Sequence, residues 1–475
     1  MNRNLKIGGT FRNEVESRIV GETDVIVAGG GTAGVAAALA AARNGAKTIL
    51  IERYGFLGGM MTAGNAGLTK YVVHSTEHSD YKNVLAQLAK NPAEVQIVGG
   101  ISMEITEKLL ETGAGIGTGG KAGSYVFTNS EEFKYLLLTM LQKAGVELLL
   151  HSWIVGVIKE KNTVKGVIVE NKSGRQAILG KTIIDATGDG DVAARSGAEF
   201  DICKVAKLAN GKSNSLSAMG VMFRVGNVNL AKLFGYLRTN PEIFQIQGCA
   251  LLSLEEAAEK LKGGEMMTIN VKTDFSPYFI QVYNLPMEGV VTLCCPCCHG
   301  NGASAADLTR AEITITKMVH AWCQKIRKIP GFEKMYLLDC PQIGVRETRL
   351  VRGEYVLTID DIFNMREFED GIGRGAHPVD APVRKELKER ALRRWSFSIP
   401  YRSLVAKGID NLLLAGRCIS VTHEAFGCTR GTAQCMITGE AAGTAAALCL
   451  NGKVKPKDLN ARQLRERLLK QKVVL

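Results

Sequence analysis

Apolar runs, period-2 alternation and period-3.6 patterns follow one another along the chain, and together they predict most of its elements. Asp24-Val25-Ile26-Val27-Ala28 is a short unbroken apolar run, as expected of a strand covered on both faces. The alanine-rich stretch from Val35 to Asn44 predicts a helix, and Ala46 to Ile51 a second strand. Helical patterns are also read at Ala86–Lys90, at Ile101–Thr112, and at Glu131–Ala144 with Ser130 as N-cap. Val146–His151 and Trp153–Lys159 read as strands, and Val164–Asn171 with Gln176–Leu179 as a hairpin about Lys172–Arg175. Thr182–Asp185 reads as a separate buried strand.

Further on, strand-like pieces (Ala218–Val225, Thr268–Asn270, Phe279–Tyr283, Val290–Cys295) alternate with helical ones (Leu251–Lys262, Ser304–Arg327). A buried strand within Gly408–Arg417, a long helix of small residues from Gly431 to Leu450 and a basic amphipathic tail close the chain. The expected plan is an arm over 1–22, a first α/β part over 23–200, an inserted mixed α/β substrate domain over 201–400, a return to the first part over 401–452, and a tail helix over 453–475.

Between the first strand and helix lies Gly29-Gly30-Gly31-Thr32-Ala33-Gly34, which fits G-x-G-x-x-G. Strand, glycines, helix, second strand and a terminal acid, Glu52, stand in the register of a dinucleotide-binding βαβ unit. Gly31 lets a pyrophosphate approach the backbone, Gly34 lets helix and strand pack closely, and the helix N-terminus offers free N–H groups to the phosphates. Glu52 stands 18 residues past Gly34, where a carboxylate meets ribose hydroxyls. The second G-x-G-x-x-G, at Gly115, Gly117 and Gly120, follows a helical pattern and is read as a loop.

Bulk properties narrow the field only slightly. At 475 residues the chain suits two or three domains. The net charge of +12 is spread along the chain, with dense runs at Arg384–Arg394 and Arg462–Lys472. No RNA-binding signature or aromatic interleaving accompanies it, so nucleic acid is not expected as a partner. The first 22 residues lack the apolar core of a signal peptide, and no apolar run is long enough to span a bilayer. The twelve cysteines are not spaced as a secreted disulfide framework, which points to a reducing cytoplasm.

The motifs together identify a resemblance. The glycine unit, Leu57-Gly58-Gly59-Met60, Ile183 to Ala193 with its Ala-Thr-Gly-Asp-Gly-Asp core, Gly344-Val345-Arg346-Glu347-Thr348-Arg349, and Leu414-Ala415-Gly416-Arg417 leading to His423-Glu424-Ala425 resemble the bacterial FAD-dependent oxidoreductase family. That family is a cousin of the succinate dehydrogenase and fumarate reductase flavoproteins within the glutathione-reductase-like superfamily. The resemblance implies a Rossmann-like FAD-binding domain with FAD as cofactor.

It also implies roles for particular residues. Gly29, Gly31, Thr32, Ala33 and Gly34 would hold the pyrophosphate, and Glu52 with Arg53 the adenosine ribose. Gly58, Gly59, Met60 and Thr62 would line the isoalloxazine, and Ile154 would contact adenine. Ala186, Thr187 and Gly188 would close over the adenosine side, and Gly416 and Arg417 would meet the ribityl–phosphate region. Gly431, Thr432 and Ala433 would face the flavin pyrimidine from a helix N-terminus, which favours negative charge there. Arg417 stands where the succinate dehydrogenase relatives carry glutamate, which argues against carrying over their dicarboxylate chemistry.

Candidate catalytic groups are His423, with Glu424 to orient it or act as a base, and Arg346, Arg349 and Arg430 for an anionic substrate or a proton. For His423 a core role stays open, and for Arg346 and Arg349 an ion-pair lattice joining the two domains. Cys294-Cys295-Pro296-Cys297-Cys298-His299 is read as a wall of the substrate site without metal, with redox-active thiols and a metal site as the other readings. The expected reaction is hydride transfer between flavin N5 and a small polar or anionic substrate, as a dehydrogenase or oxidase of C–OH or C–N. A reductase of an activated double bond and a non-catalytic FAD-stabilised partner are the alternatives. The electron acceptor or donor is unknown, no membrane association is expected, and a homo-oligomer is left open.

Overall fold

The computed structural model describes residues 15–69, 97–117, 125–202, 218–246, 268–276, 280–377 and 396–475, with short pieces between 206 and 261. The first fourteen residues of the expected arm, the helix at Ala86–Lys90, most of the pattern over Leu251–Lys262 and the basic run at Arg384–Arg394 lie outside the described residues.

Strand β1 (Arg18–Ala28) starts inside the stretch expected to be an arm, because residues from Arg18 onward pair with a later strand. Helix α1 (Thr32–Arg43) and β2 (Thr48–Ile51) complete the βαβ unit, with β1 and β2 parallel. Helix α2 (Gly100–Glu111) lacks a side-chain cap of its own; Glu440, far along the chain, accepts from Ile101 N at 2.8 Å instead. Gly115–Gly117 was expected in a loop but forms strand β3, paired antiparallel with β4 (Tyr125–Thr128), which supplies the missing backbone partners. The cap of α3 (Ser130–Lys143) is Asn129, not the expected Ser130, because the Asn129 side chain accepts from Glu131 N.

Three strands follow: β5 (Glu147–Leu149), β6 (Trp153–Glu160) and β7 (Thr163–Asn171). The expected hairpin strand and the separate buried strand are then one element, β8 (Gly174–Asp185). Gly180 makes no turn between them; it leaves room for the Ile26 side chain of β1. The first sheet has the order β5-β2-β1-β8-β7-β6.

A second sheet gathers β9 (Met219–Gly226), then, past helix α4 (Leu230–Thr239), β10 (Phe244–Ile246), β11 (Thr268–Val271), β12 (Ile280–Asn284) and β13 (Val291–Cys298). Helix α5 (Ala305–Ile326), capped by Ser304, precedes the last strand, β14 (Tyr336–Asp339). The sheet is antiparallel, in the order β10-β11-β12-β13-β9-β14. Its apolar face (Phe223, Ile269, Val282, Leu293) packs on Leu233 and Phe234 of α4 and on Ile315, Val319 and Trp322 of α5, forming a core of its own.

The chain then rejoins the first core well before residue 401. Leu350, Val351, Ile372 and Phe397 are already buried in that core, whereas Ile343 belongs to the second. Strands β15 (Gly371–Gly375) and β16 (Phe397–Pro400) pair with each other, and β17 (Leu412–Leu414) lies parallel beside β8. Helices α6 (His423–Thr429), α7 (Thr432–Gly452) and α8 (Ala461–Lys470) end the chain. Helix α7 lies directly on α1: a Cβ at Gly439 or Gly443 would stand 2.1 Å from the carbonyl oxygens of Ala33 or Ala37. Among the described residues no helix is long and apolar enough to cross a membrane.

Candidate active site

A cavity of about 360 Å³ opens where the ends of β1 and β8 meet the N-termini of α1 and α7. The two helices enter it in the same manner. Gly31 caps α1 and Gly431 caps α7, neither with a side-chain hydrogen bond, and neither first turn carries an acid. By contrast α3, α4, α5, α6 and α8 are capped by Asn or Ser/Thr side chains. Helices that leave their first N–H groups uncapped on a cavity are arranged for an anion or an electron-rich ring edge.

The rest of this wall suits a dinucleotide. Gly31 faces open space, its nearest neighbour being the Gly59 backbone at 4.0 Å from an added Cβ. Gly34 sits against the Gly29 carbonyl, so its role is helix–strand packing, as expected. Buried Glu52 accepts from Gly30 N at 2.6 Å and from Tyr54 N at 2.9 Å, which fixes its carboxylate and leaves further lone pairs for hydroxyl donors. Arg53 stacks on Tyr54 and on Trp153, with centroid distances of 4.9 and 5.3 Å. Ile154 lines a small side recess with Arg53 and Thr187. Buried Asp185 shapes the Ala186–Gly188 turn by accepting from Thr187 Oγ1 at 2.7 Å and from Ala193 N at 2.8 Å, while burial raises its carboxyl above the ordinary value. Gly416 N donates to Thr438 Oγ1 at 3.0 Å, fixing β17's end against α7.

Of the other expected cofactor residues, Thr32, Ala33, Gly59, Met60, Ala186, Gly188, Arg417 and Thr432 also line the cavity. Gly58, Thr62 and Ala433 do not. Thr62 donates to Leu57 O at 2.5 Å and fills the space beside Gly58, so this pair shapes the turn behind Gly59. Ala433 is buried with Ile97, Val98 and Ala376.

The candidate catalytic residues separate into two groups. Arg346 and Arg430 line the cavity, and Arg346 donates to Ala218 O. His423, Glu424 and Arg349 are not on its wall. His423 Nδ1 lies 2.5 Å from Glu347 Oε1, so the acid that orients it is the buried Glu347 and not the adjacent Glu424. Arg349 pairs with Asp191 at 3.0 Å and donates to Asp189 O at 2.9 Å. Arg417 pairs with Asp189 at 2.8 Å and donates to Arg346 O at 3.1 Å, while Thr348 donates to Asp189 at 3.0 Å. The segment 346–349, where the chain passes from the second core to the first, is thus tied to Asp189, Asp191 and Arg417 through Arg346 O, Thr348 and Arg349, and to His423 through Glu347.

Sequence reasoning missed His377, which lines the cavity and whose ring lies against Gly431. No periodicity or motif marks it; its place follows from the β15–β16 pairing. Strands β9 and β13 of the second sheet contribute Gly220, Val221, Met222 and Cys294. Cys294 is therefore a wall residue. Burial pushes the Cys298 thiol up, which works against thiolate formation there.

The sequence model of the family described as FAD dependent oxidoreductase matches residues 24–468. The chain belongs to that family. The cavity wall just described fits the FAD of that family. The chain is 29% identical over 167 residues to a digeranylgeranylglycerophospholipid reductase of Thermoplasma volcanium, a match covering 35% of this chain and 39% of the reductase. It thus spans about two-fifths of the length of that relative. It is 25% identical over 273 residues to a thiamine thiazole synthase of Aeropyrum pernix, covering 54% of this chain and 88% of the synthase. Among solved structures, a geranylgeranyl bacteriochlorophyll reductase-like protein from Thermoplasma acidophilum is similar over 95% of this chain and 84% of its own, at 16% identity and a TM-score of 0.46.

Proposed function

We propose that this FAD-dependent oxidoreductase transfers a hydride between flavin N5 and a small polar or anionic organic substrate, acting on C–OH or C–N. FAD, when bound, supplies the hydride acceptor or donor. The observation that carries the reading is the composition of the cavity beyond the dinucleotide wall. Arg346 enters it from the edge of the second core, and Arg430 and His377 enter it beside the α7 N-terminus. Two guanidiniums bind and orient a carboxylate or carbonyl oxygen, and an imidazole takes or returns the proton that accompanies hydride transfer. His423 then has a positioning role: with Glu347 it steadies the segment that presents Arg346.

The test is anaerobic mixing of the FAD-loaded protein with hydroxy acids, polyols and amino acids, followed by flavin bleaching. The expected outcome is bleaching by members of this panel. Arg346→Met is expected to weaken the productive compound by about tenfold or more at unchanged FAD content. Bleaching by none, with reoxidation of the reduced protein by olefins, would favour the reductase reading suggested by the 167-residue likeness to the Thermoplasma enzyme.

A further inference from the structure

The second sheet has two unlike faces. One is the apolar face under α4 and α5. On the other, Asn270, Gln281, Cys294 and Met222 stand side by side on neighbouring strands, each paired in register with the next. Met222 and Cys294 are cavity wall. With strands about 4.8 Å apart, the row carries on from Cys294 through Gln281 to Asn270 over about 10 Å.

In the adjacent row on this face Tyr283, Thr292 and Arg224 pair in register, and Tyr283 and Arg224 are taken up in contacts with β4 and α3 of the first part. Arg224 donates to Ser130 Oγ at 3.0 Å and to Asp339 at 2.7 Å, and Tyr283 stacks on Phe127 at 4.6 Å. Tyr283 also donates to Gln281 Oε1 at 2.8 Å, which fixes that carboxamide. Asn270, in the row that continues from the cavity wall, is 5% exposed, and its Oδ1 meets no hydrogen-bond partner among the described residues; Thr292 Oγ1 in the adjacent row is buried in the same condition. A buried acceptor without a donor is costly to the fold, and it calls for an O–H or N–H group from outside the chain.

We infer that Asn270 and Gln281 are specificity-determining residues that receive the end of the substrate remote from the flavin, and that this end carries hydroxyl or amino donors. The inference rests on the proposed function and names its substrate class: a hydroxylated or amino compound that reaches about 10 Å along the row. A hydrocarbon chain laid on the same row would leave the Asn270 acceptor unmet.

The experiment titrates the FAD-loaded protein with linear polyols, amino alcohols and sugar acids, and separately with a long polyprenol in detergent. Binding is read from the flavin absorbance shift and from the thermal shift of the protein. At least one polar compound is expected to bind, and Asn270→Leu to weaken it about tenfold or more with FAD content unchanged. Asn270→Asp, which keeps the shape and an acceptor oxygen, is expected to restore binding of the amino compounds. Equal affinity in Asn270→Leu, silence across the polar panel, or binding of the polyprenol overturns the inference. A protein that binds the polyprenol and is reoxidised by olefins also refutes the proposed function. One bleached by polar compounds with equal affinity in Asn270→Leu refutes only the specificity row.

Discussion

Replacing Gly439 by alanine tests how the cofactor wall is held together. Gly439 lies in the interior of α7, where alanine is intrinsically better than glycine by about 1 kcal/mol. Here, however, the added methyl would stand 2.1 Å from the Ala33 carbonyl oxygen, 2.9 Å from its carbon and 3.0 Å from its Cα. All three are backbone atoms of α1 and cannot rotate away, so the helices must separate by about 1 Å to reach ordinary van der Waals contact. Overpacking of this kind costs about 1–3 kcal/mol and outweighs the propensity gain. The separation falls within the first turn of α1 and next to Thr438, which holds Gly416, so loss of FAD should accompany loss of stability. Thermal melts and flavin-to-protein ratios of Gly439→Ala should both fall. Gly235→Ala is the control: Gly235 is exposed in α4 with nothing within 4 Å, and the same change there should stabilise by about 0.5–1 kcal/mol. A Gly439→Ala protein that keeps its FAD and melts no lower than the wild type would refute the reasoning.

Three further outcomes are expected. Gly31→Val should abolish FAD binding yet leave the melting temperature of the FAD-free protein nearly unchanged, because the side chain enters space that no protein atom occupies; a flavin-loaded Gly31→Val protein would contradict it. Glu440 is pushed up to about 7 by burial from an ordinary 4.5, so its contribution to stability is full below about pH 4.5 and is lost as pH rises through about 7. Glu440→Gln keeps the acceptor for Ile101 N and should match the wild type near pH 5 but exceed it by up to about 3 kcal/mol at pH 8, measured by denaturant melts. His423→Ala leaves the Glu347 carboxylate buried without that imidazole and should cost about 1–3 kcal/mol at unchanged flavin content; an unaltered melting curve would remove the pair from the account.

The cofactor half of the site was legible because its information is local. Strand, glycines, helix and Glu52 fall within thirty residues whose periods do not conflict. Local reading failed where tertiary pairing overrode it. Gly115–Gly117 looks like a loop until β4 supplies partners, and Gly180 looks like a break until Ile26 of β1 is seen to need its space. The substrate half was barely legible. The Glu347–His423 contact joins residues 76 apart, and no spacing rule could prefer Glu347 to the adjacent Glu424. His377 and the row from Met222 to Asn270 depend on strand register, which turn geometry and core packing fix only once the sheet is assembled.

The most direct test of the proposed function is the fate of a labelled hydrogen. A polar compound that bleaches the FAD-loaded protein is prepared with deuterium at the carbon of its C–OH or C–N group, and anaerobic bleaching is timed against the unlabelled compound. Direct hydride transfer within the cavity predicts slower bleaching with deuterium, and loss of bleaching in Arg346→Met at unchanged FAD content. Equal rates for both isotopes, together with reduction only by a nicotinamide cofactor or a partner protein, would contradict it.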